Sequence, residues 1–261
     1  MKVSVILPTY NEKENVVELV VEIHKHLSQY DHEILVVDDN SPDGTYQALK
    51  DLKYPFVRAI LRTEDRGFAK SIRCGLENAT GDIFVVMDSD FNHQPKYLPF
   101  MIDSLKYYDC VTATRFQYGG RMGDREQSRE LLSWWFNIFV RIMTWGQITD
   151  SLYGFYAVKR KILQLLNYDD IFWGYGDYCI RLFYYLQERR VNILQFPAVN
   201  GQRPYGNGNS NFLKVFIQYF EAVCKLAFRI RFQNKRIKAA SPSKIEEIKV
   251  EGYQVESKWK E

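Results

Sequence analysis

The 261-residue sequence predicts an α/β protein, a mostly parallel sheet flanked by helices. Three observations lead there. Short β-rich runs alternate with helical patterns through the first half of the chain. Acidic or Gly/Pro-containing loops follow most of those runs. The length, with 46% hydrophobic residues, is ample for a large buried core, which excludes a stapled miniprotein and a mainly disordered chain.

Five strands are expected at residues 3–7, 33–37, 57–61, 83–87 and 111–114, with helices near 16–27, 45–52 and 70–78 between them. The second half is less regular. A helical stretch over 130–145 is followed by a turn at Tyr153-Gly154, a helix over 178–189 and a strand over 192–196. A Gly/Asn-rich loop, 200–211, precedes a long apolar pattern over 212–232, and Lys/Glu/Ser-rich residues run from there to Glu261. The expected division is an α/β domain over 1–211, an amphipathic helix over 212–234 and a polar tail over 235–261, with no internal repeat.

The net charge of +3 is too small to imply nucleic-acid binding, but its distribution is uneven. From Arg203 to Lys238 eight basic residues stand against the single acid Glu221, a local charge of +7. Cys74, Cys110, Cys179 and Cys224 form no CxxC, so neither a zinc site nor a disulfide framework is supported and a reducing cytosol is expected. The first apolar run is broken by Pro8, too short for a signal peptide or a membrane span.

Three motifs fall directly after expected strands, where ligands bind in open α/β sheets. Asp88-Ser89-Asp90-Phe91-Asn92 sets two carboxylates two residues apart with an amide oxygen two further on, an oxygen-ligand spacing that suits Mg²⁺ or Mn²⁺. A solvated turn with capping aspartates would use the same residues. Asp38-Asp39-Asn40-Ser41-Pro42-Asp43-Gly44-Thr45 offers caps in Ser41 or Asp43, and Asp39 as an acceptor for a nucleobase or ribose. In Pro8-Thr9-Tyr10-Asn11-Glu12, Tyr10 can stack on a base and Glu12 can accept from it.

In order and spacing, PTYNE, DDNSPDGT and DSD resemble the family-two glycosyltransferases of the GT-A fold over roughly residues 1 to 200. Thr114-Arg115-Phe116, Arg129-Glu130-Leu131-Leu132-Ser133, and Arg203 with its Gly/Asn loop resemble the dolichyl-phosphate mannose synthase group. The resemblance implies that Pro8, Tyr10, Glu12 and Asp39 hold the nucleotide, with Asp88, Asp90 and Asn92 as metal ligands. It further implies that Arg115, Arg129, Ser133 and Arg203 hold the phosphates of donor and acceptor. Guanidinium groups suit that task, since a lipid phosphate attacking a sugar diphosphate brings like charges together. The implied reaction is metal-dependent and inverting: a hexose passes from a nucleotide sugar, GDP-mannose or UDP-glucose, to a polyprenyl phosphate at the cytoplasmic face of a membrane.

Three departures from the group stand out. Asn92 stands where a Gln is usual, shortening the ligand by a methylene. Asn209-Ser210-Asn211 stands where a Ser-Lys pair is usual, removing a positive charge from the acceptor loop. Asp177 lies near the position where relatives that glycosylate hydroxyls carry a base, and it also suits the N-cap of the helix that follows. A hydroxyl acceptor with Asp177 as base is therefore a second reading. A non-catalytic subunit that binds nucleotide or lipid is a third.

Residues 131–148 place Ser133, Asn137, Arg141 and Thr144 on one helix face and aromatic and aliphatic residues on the other. Residues 212–232 repeat the pattern, with Lys214, Gln218, Glu221, Lys225 and Arg229 polar and Phe216, Phe220, Val223, Ala227 and Phe228 apolar. Both suit helices lying in a membrane interface, and both would also suit packing on the sheet. The +7 segment favours peripheral attachment through the second helix. Tighter anchorage would need a partner subunit or the lipid substrate.

Overall fold

The computed structural model describes residues 1–122, 127–206 and 212–237, and within these all side chains except those of 127–129, 212–214 and 233–237. Among the described residues seven strands form one sheet in the order β3-β2-β1-β4-β6-β5-β7: β1 (Lys2–Thr9), β2 (Asp31–Asp38), β3 (Val57–Leu61), β4 (Ile83–Val86), β5 (Cys110–Thr114), β6 (Tyr156–Lys159) and β7 (Ile193–Pro197). All pairings are parallel except those of β6, which runs antiparallel between β4 and β5. The carboxyl ends of β1, β2, β4 and β5 therefore open on one edge of the sheet. The chain order reverses at β1, and a crevice forms outside the strand ends at such a switch point.

The helices are α1 (Lys13–His26), α2 (Thr45–Asp51), α3 (Phe68–Asn78), α4 (Leu98–Ser104), α5 (Gln127–Thr144), α6 (Arg160–Leu163), α7 (Tyr178–Glu188) and α8 (Phe212–Ile237). On one side of the sheet α1 buries Val16, Leu19, Val20 and Ile23 against Val5, Val36 and Val85. On the other, α3 and α7 bury Ile72, Leu76, Leu182 and Leu186 against Ile6, Phe84 and Val158. The approach of α3 to β1 depends on Gly75, because a Cβ there would strike the Ile6 side chain.

The strands expected from the sequence are all present, the first two longer at both ends. β6, α4 and α6 were not anticipated. β6 is four residues long and lies between its partners only because the chain returns after α5, a tertiary event that no local pattern announces. The expected tail over 235–261 lies outside the described residues beyond Ile237.

Helices α5 and α8 pack on each other and on α7 through Phe136, Val140, Ile180, Tyr184, Val223 and Leu226. Their polar stripes do not all face water. On α5, Asn137 is only 1% exposed and Thr144 is buried, whereas Leu131, Trp134, Trp135 and Ile142 are exposed, as is Trp145 just after the helix, by 81%. On α8, Gln218, Glu221, Lys225 and Arg229 are exposed as expected, the Lys214 side chain lies outside the described residues, and Ile217, Phe220, Phe228 and Phe232 are exposed too. Among the described residues no helix is long and apolar enough to cross a membrane.

Candidate active site

Each of the three motifs closes a strand and turns sharply at its loop. Asn11, Asn40 and Phe91 adopt left-handed backbone conformations, with φ of 58°, 58° and 66°. Asn tolerates that region; for Phe it is uncommon and marks a loop held by its surroundings. The first two loops are stitched together. The Ser41 hydroxyl accepts the Asn11 amide at 2.9 Å, and Asp43 accepts the amides of Lys13 at 3.1 Å and Thr45 at 2.9 Å. Asp43 thus serves the starts of both α1 and α2, while Ser41 bonds back to Asp38.

Asp39 is buried, and its carboxylate accepts from Arg62 Nη1 and from the Gly67 amide, each at 2.6 Å. Gly67 has a φ of +147°, which an L side chain rarely adopts. Neither Arg62 nor Gly67 was singled out from the sequence, since neither lies in a motif. Tyr10 is half exposed at the crevice mouth with the Arg66 guanidinium 5.0 Å from its ring centre. The Pro8 carbonyl accepts from the buried Ser89 hydroxyl at 3.0 Å, joining the end of β1 to the loop after β4.

Glu12, Asp90 and Arg203 meet although up to 191 residues separate them. Arg203 Nη2 donates to Glu12 Oε1 at 2.7 Å, and its Nη1 lies 3.3 Å from Asp90 Oδ2. Its Nε donates to the Tyr205 carbonyl at 2.8 Å, and Tyr205 in turn bonds to Asn15 and Glu18 of α1. Burial raises the carboxyl of Glu12, against the hydrogen bonds from Asn15 and Arg203. The rest of the expected acceptor loop, Asn209-Ser210-Asn211, lies outside the described residues.

Asp88 and Asp90 are the chemically unsettled pair. Burial pushes the Asp88 carboxyl up to about 6, with Arg115 and then Arg203 opposing the rise. Asp90 is also raised, first by burial and then by the Asp88 charge. Asn92 turns back on Asp90: its Nδ2 donates to Oδ2 at 2.7 Å and its backbone amide lies 3.1 Å from Oδ1. Two mutually repelling, incompletely compensated carboxylates fit a divalent cation, and the Asn92 side-chain oxygen can add a third ligand. Among the described residues no three His, Cys, Asp or Glu side chains cluster as a metal cage. An oxygen-poor protein set of this kind suits Mg²⁺ or Mn²⁺, which keep water or substrate phosphates as further ligands.

His93 braces this loop and was missed because a lone histidine carries no signal of its own. Its Nδ1 accepts the Asp88 amide at 2.8 Å and its Nε2 donates to the Tyr153 carbonyl at 2.8 Å, which identifies the neutral tautomer. Burial pushes its pKa down to about 4, so the ring stays uncharged at neutral pH.

Arg115 does not stand free in the crevice. It is paired with Asp150, a residue the sequence reading passed over, and its guanidinium lies 4.8 Å from the Tyr153 ring centre. Ser133 lies half-buried on α5, where its carbonyl accepts from Asn137. Arg129 belongs to α5, but its side chain is outside the described residues.

Asp177 is at the N-terminus of α7 without making a side-chain cap, so the expected N-cap bond is absent. Its carboxylate instead pairs with Arg181 one turn on and accepts the Tyr175 amide at 2.8 Å. The Arg181 guanidinium is stacked over the Trp173 ring, 3.6 Å from its centre.

Residues 4–166 match the family model described as glycosyl transferase family 2. The chain belongs to that family. It is 32% identical over 231 residues to a dolichol-phosphate mannosyltransferase of Pyrococcus furiosus, covering 87% of this chain and 64% of the relative's length. It is 34% identical over 183 residues to an undecaprenyl-phosphate mannosyltransferase of Micrococcus luteus, covering 67% of this chain and 74% of that one. The fold is shared with glucosyl-3-phosphoglycerate synthase from Mycobacterium tuberculosis, solved in complex with Mn²⁺, uridine diphosphate and phosphoglyceric acid. That likeness has a TM-score of 0.68 at 20% identity and covers 87% of this chain and 78% of the synthase. The family-two GT-A resemblance seen in the motifs is therefore borne out.

Proposed function

We propose that this family-two chain transfers a hexose, with inversion, from a nucleotide sugar to a polyprenyl phosphate at the cytoplasmic surface of a membrane. The observation that carries the reading is the meeting of Glu12, Asp90 and Arg203 beside Asp88 at the carboxyl ends of β1 and β4. The naming of both relatives as polyprenyl-phosphate mannosyltransferases supports the acceptor class.

In this reading Pro8, Tyr10 and Asp39 seat the nucleotide, Tyr10 by stacking and Asp39 as a fixed acceptor. Asp88 and Asp90, with Asn92, would hold Mg²⁺ or Mn²⁺, and the bound Mn²⁺ of the synthase with the same fold supports a divalent ion. When bound, such an ion neutralises a diphosphate and so favours its departure. Arg115, Arg129, Ser133 and Arg203 hold the phosphates. Arg203 carries out this role by exchanging its present carboxylate partners for phosphate oxygens, a charge-assisted bond of the same kind. The acceptor phosphate is ionised at neutral pH and needs no base. The pairing of Asp177 with Arg181 weighs against its acting as one on a hydroxyl.

The 212–234 helix, with α5, is the proposed membrane contact. Trp134, Trp135 and Trp145 suit the headgroup region, and Lys225 and Arg231 suit anionic lipid. The donor, GDP-mannose or UDP-glucose, and an anchoring subunit are open to direct assay. The test is transfer of radiolabelled sugar from a panel of nucleotide sugars into organic-extractable product, with Mg²⁺ or Mn²⁺ and with or without polyprenyl phosphate. Lipid-phosphate-dependent label is expected from one donor. Metal-dependent donor hydrolysis without extractable label would overturn the phosphate acceptor in favour of a hydroxyl, and neither reaction would leave the non-catalytic reading.

A further inference from the structure

Arg115 leaves β5 toward the crevice and is 9% exposed. A guanidinium so buried needs a fixed counter-charge, and Asp150 supplies it. Asp150 is fully buried; its Oδ2 accepts from Arg115 Nε at 2.7 Å and from the Arg115 amide at 3.1 Å, and its Oδ1 accepts from Nη2 at 2.9 Å. This bidentate pairing locks one edge of the guanidinium in plane. Among the described residues nothing accepts from Nη1 on the other edge. The charge is still felt at Asp88, where Arg115 is the strongest of the relieving cations. A guanidinium with one edge locked and one uncommitted is a preorganised donor for an oxyanion.

Asp150 is itself held from α5. Asn137 Nδ2 lies 3.4 Å from Asp150 Oδ1, and Asn137 Oδ1 accepts the amide of Ser151 at 2.7 Å. A buried amide in an apolar helix is costly unless satisfied, and these bonds satisfy it. The same helix presents Trp134 and Trp135 on its exposed face. From α5 the contacts run through Asn137 and Asp150 to Arg115, then across the Tyr153 ring and backbone to His93 and the Asp88 amide.

We propose that Asp150 and Asn137 are positioning residues that hold Arg115 in readiness for the acceptor phosphate and make that readiness depend on how α5 is seated. The inference rests on the phosphate-acceptor reading above and adds to it residues that do not touch substrate.

The experiment uses the full chain with polyprenyl phosphate in mixed lipid micelles and measures kcat and acceptor KM beside the affinity for a nucleoside diphosphate with Mn²⁺. The variants are Asp150→Asn, Asn137→Ala and the pair combined. In Asp150→Asn the acceptor KM should rise roughly tenfold or more while nucleotide affinity stays within about twofold, the scale seen when partners that orient a functional group are removed. Asn137→Ala should shift acceptor KM in the same direction by less, and the double variant should lie close to Asp150→Asn because the two act as one unit. An unchanged acceptor KM, with kcat falling only in step with the folded fraction, overturns the proposal. Where Asp150→Asn fails to fold, Asn137→Ala decides it by the same KM. A wild-type chain that never labels polyprenyl phosphate refutes the acceptor reading itself, before any variant is made.

Discussion

Helices α1 and α5 are both amphipathic, and the structure uses them in opposite senses. α1 buries its aliphatic stripe of Val16, Leu19, Val20 and Ile23 and exposes Glu14, Glu18 and Lys25. α5 buries Asn137 and Thr144 beside Phe136 and Val140, and leaves Leu131, Trp134, Trp135 and Ile142 outside. The first helix is placed mainly by hydrophobic burial on the sheet, its one buried polar side chain, Asn15, bonding to Glu12 and Tyr205 at its N-terminal end. The second is placed partly by polar bonds from Asn137 to Asp150 and Ser151, with an apolar face left exposed. Amphipathicity thus supplies two faces without saying which one the protein hides; that choice depends on what else lies within reach.

The largest expected effect lies at the crevice beside the start of α1, where Arg203 from the chain beyond β7 meets Glu12 and Asp90. Asp90→Ala should lower turnover roughly a thousandfold with the fold retained, the scale of losing one electrostatic anchor at a reacting centre. Turnover near wild type would separate the carboxylate pair from the reaction. Next, Leu19→Ala in α1 should cost about 4 kcal/mol in denaturant unfolding, because the site is fully buried. A loss as large for Trp135→Ala in α5 would break the contrast between the helices, since an exposed side chain should cost about 0.5 kcal/mol or less.

The other face of the sheet, at the end of α3, carries an acid-sensitive tie. Glu33 is buried, which by itself raises its carboxyl, yet hydrogen bonds from Ser4, Thr80 and Arg58 outweigh burial and bring it down to about 2. A depressed carboxyl stabilises the folded state above the unfolded value of 4.5, and this contribution is lost as pH falls from there through about 2. It amounts to roughly 3 kcal/mol, so Glu33→Gln should flatten the decline of thermal stability between those limits. An unchanged acid limb would remove Glu33 as its source. The smallest effect should be at the exposed face of α5 and α8. Trp134→Ala with Trp135→Ala should weaken binding to anionic vesicles several-fold with little change in unfolding, as measured by co-sedimentation. Equal binding by wild type and variant would leave that face without a lipid role.

Much of the crevice side was legible in the sequence. Short runs rich in Val and Ile end where Pro8, Asp38 and Asp88 begin polar loops, so both the strands and the loops at their carboxyl ends follow from local pattern. The partners of those loops were hidden. Nothing adjacent to Asp39 announces Arg62 and Gly67, which reach it across β2, β3 and the turn into α3. Asp177 is different, because an acid and an arginine four apart at a helix start are a readable pair, and Arg181 could have been named from spacing alone.

By itself the sequence determined the alternation of strands and helices, the order of the three crevice motifs and the two faces of α5 and α8, since each depends on neighbours within a few residues. Only the tertiary structure decided that β6 enters antiparallel, that Asn137 faces inward and that Asp150 locks Arg115 across 35 residues of chain. Burial and charge pairing over such separations are properties of the packed molecule, and the cost of leaving a guanidinium or an amide unsatisfied in its interior selects the partners.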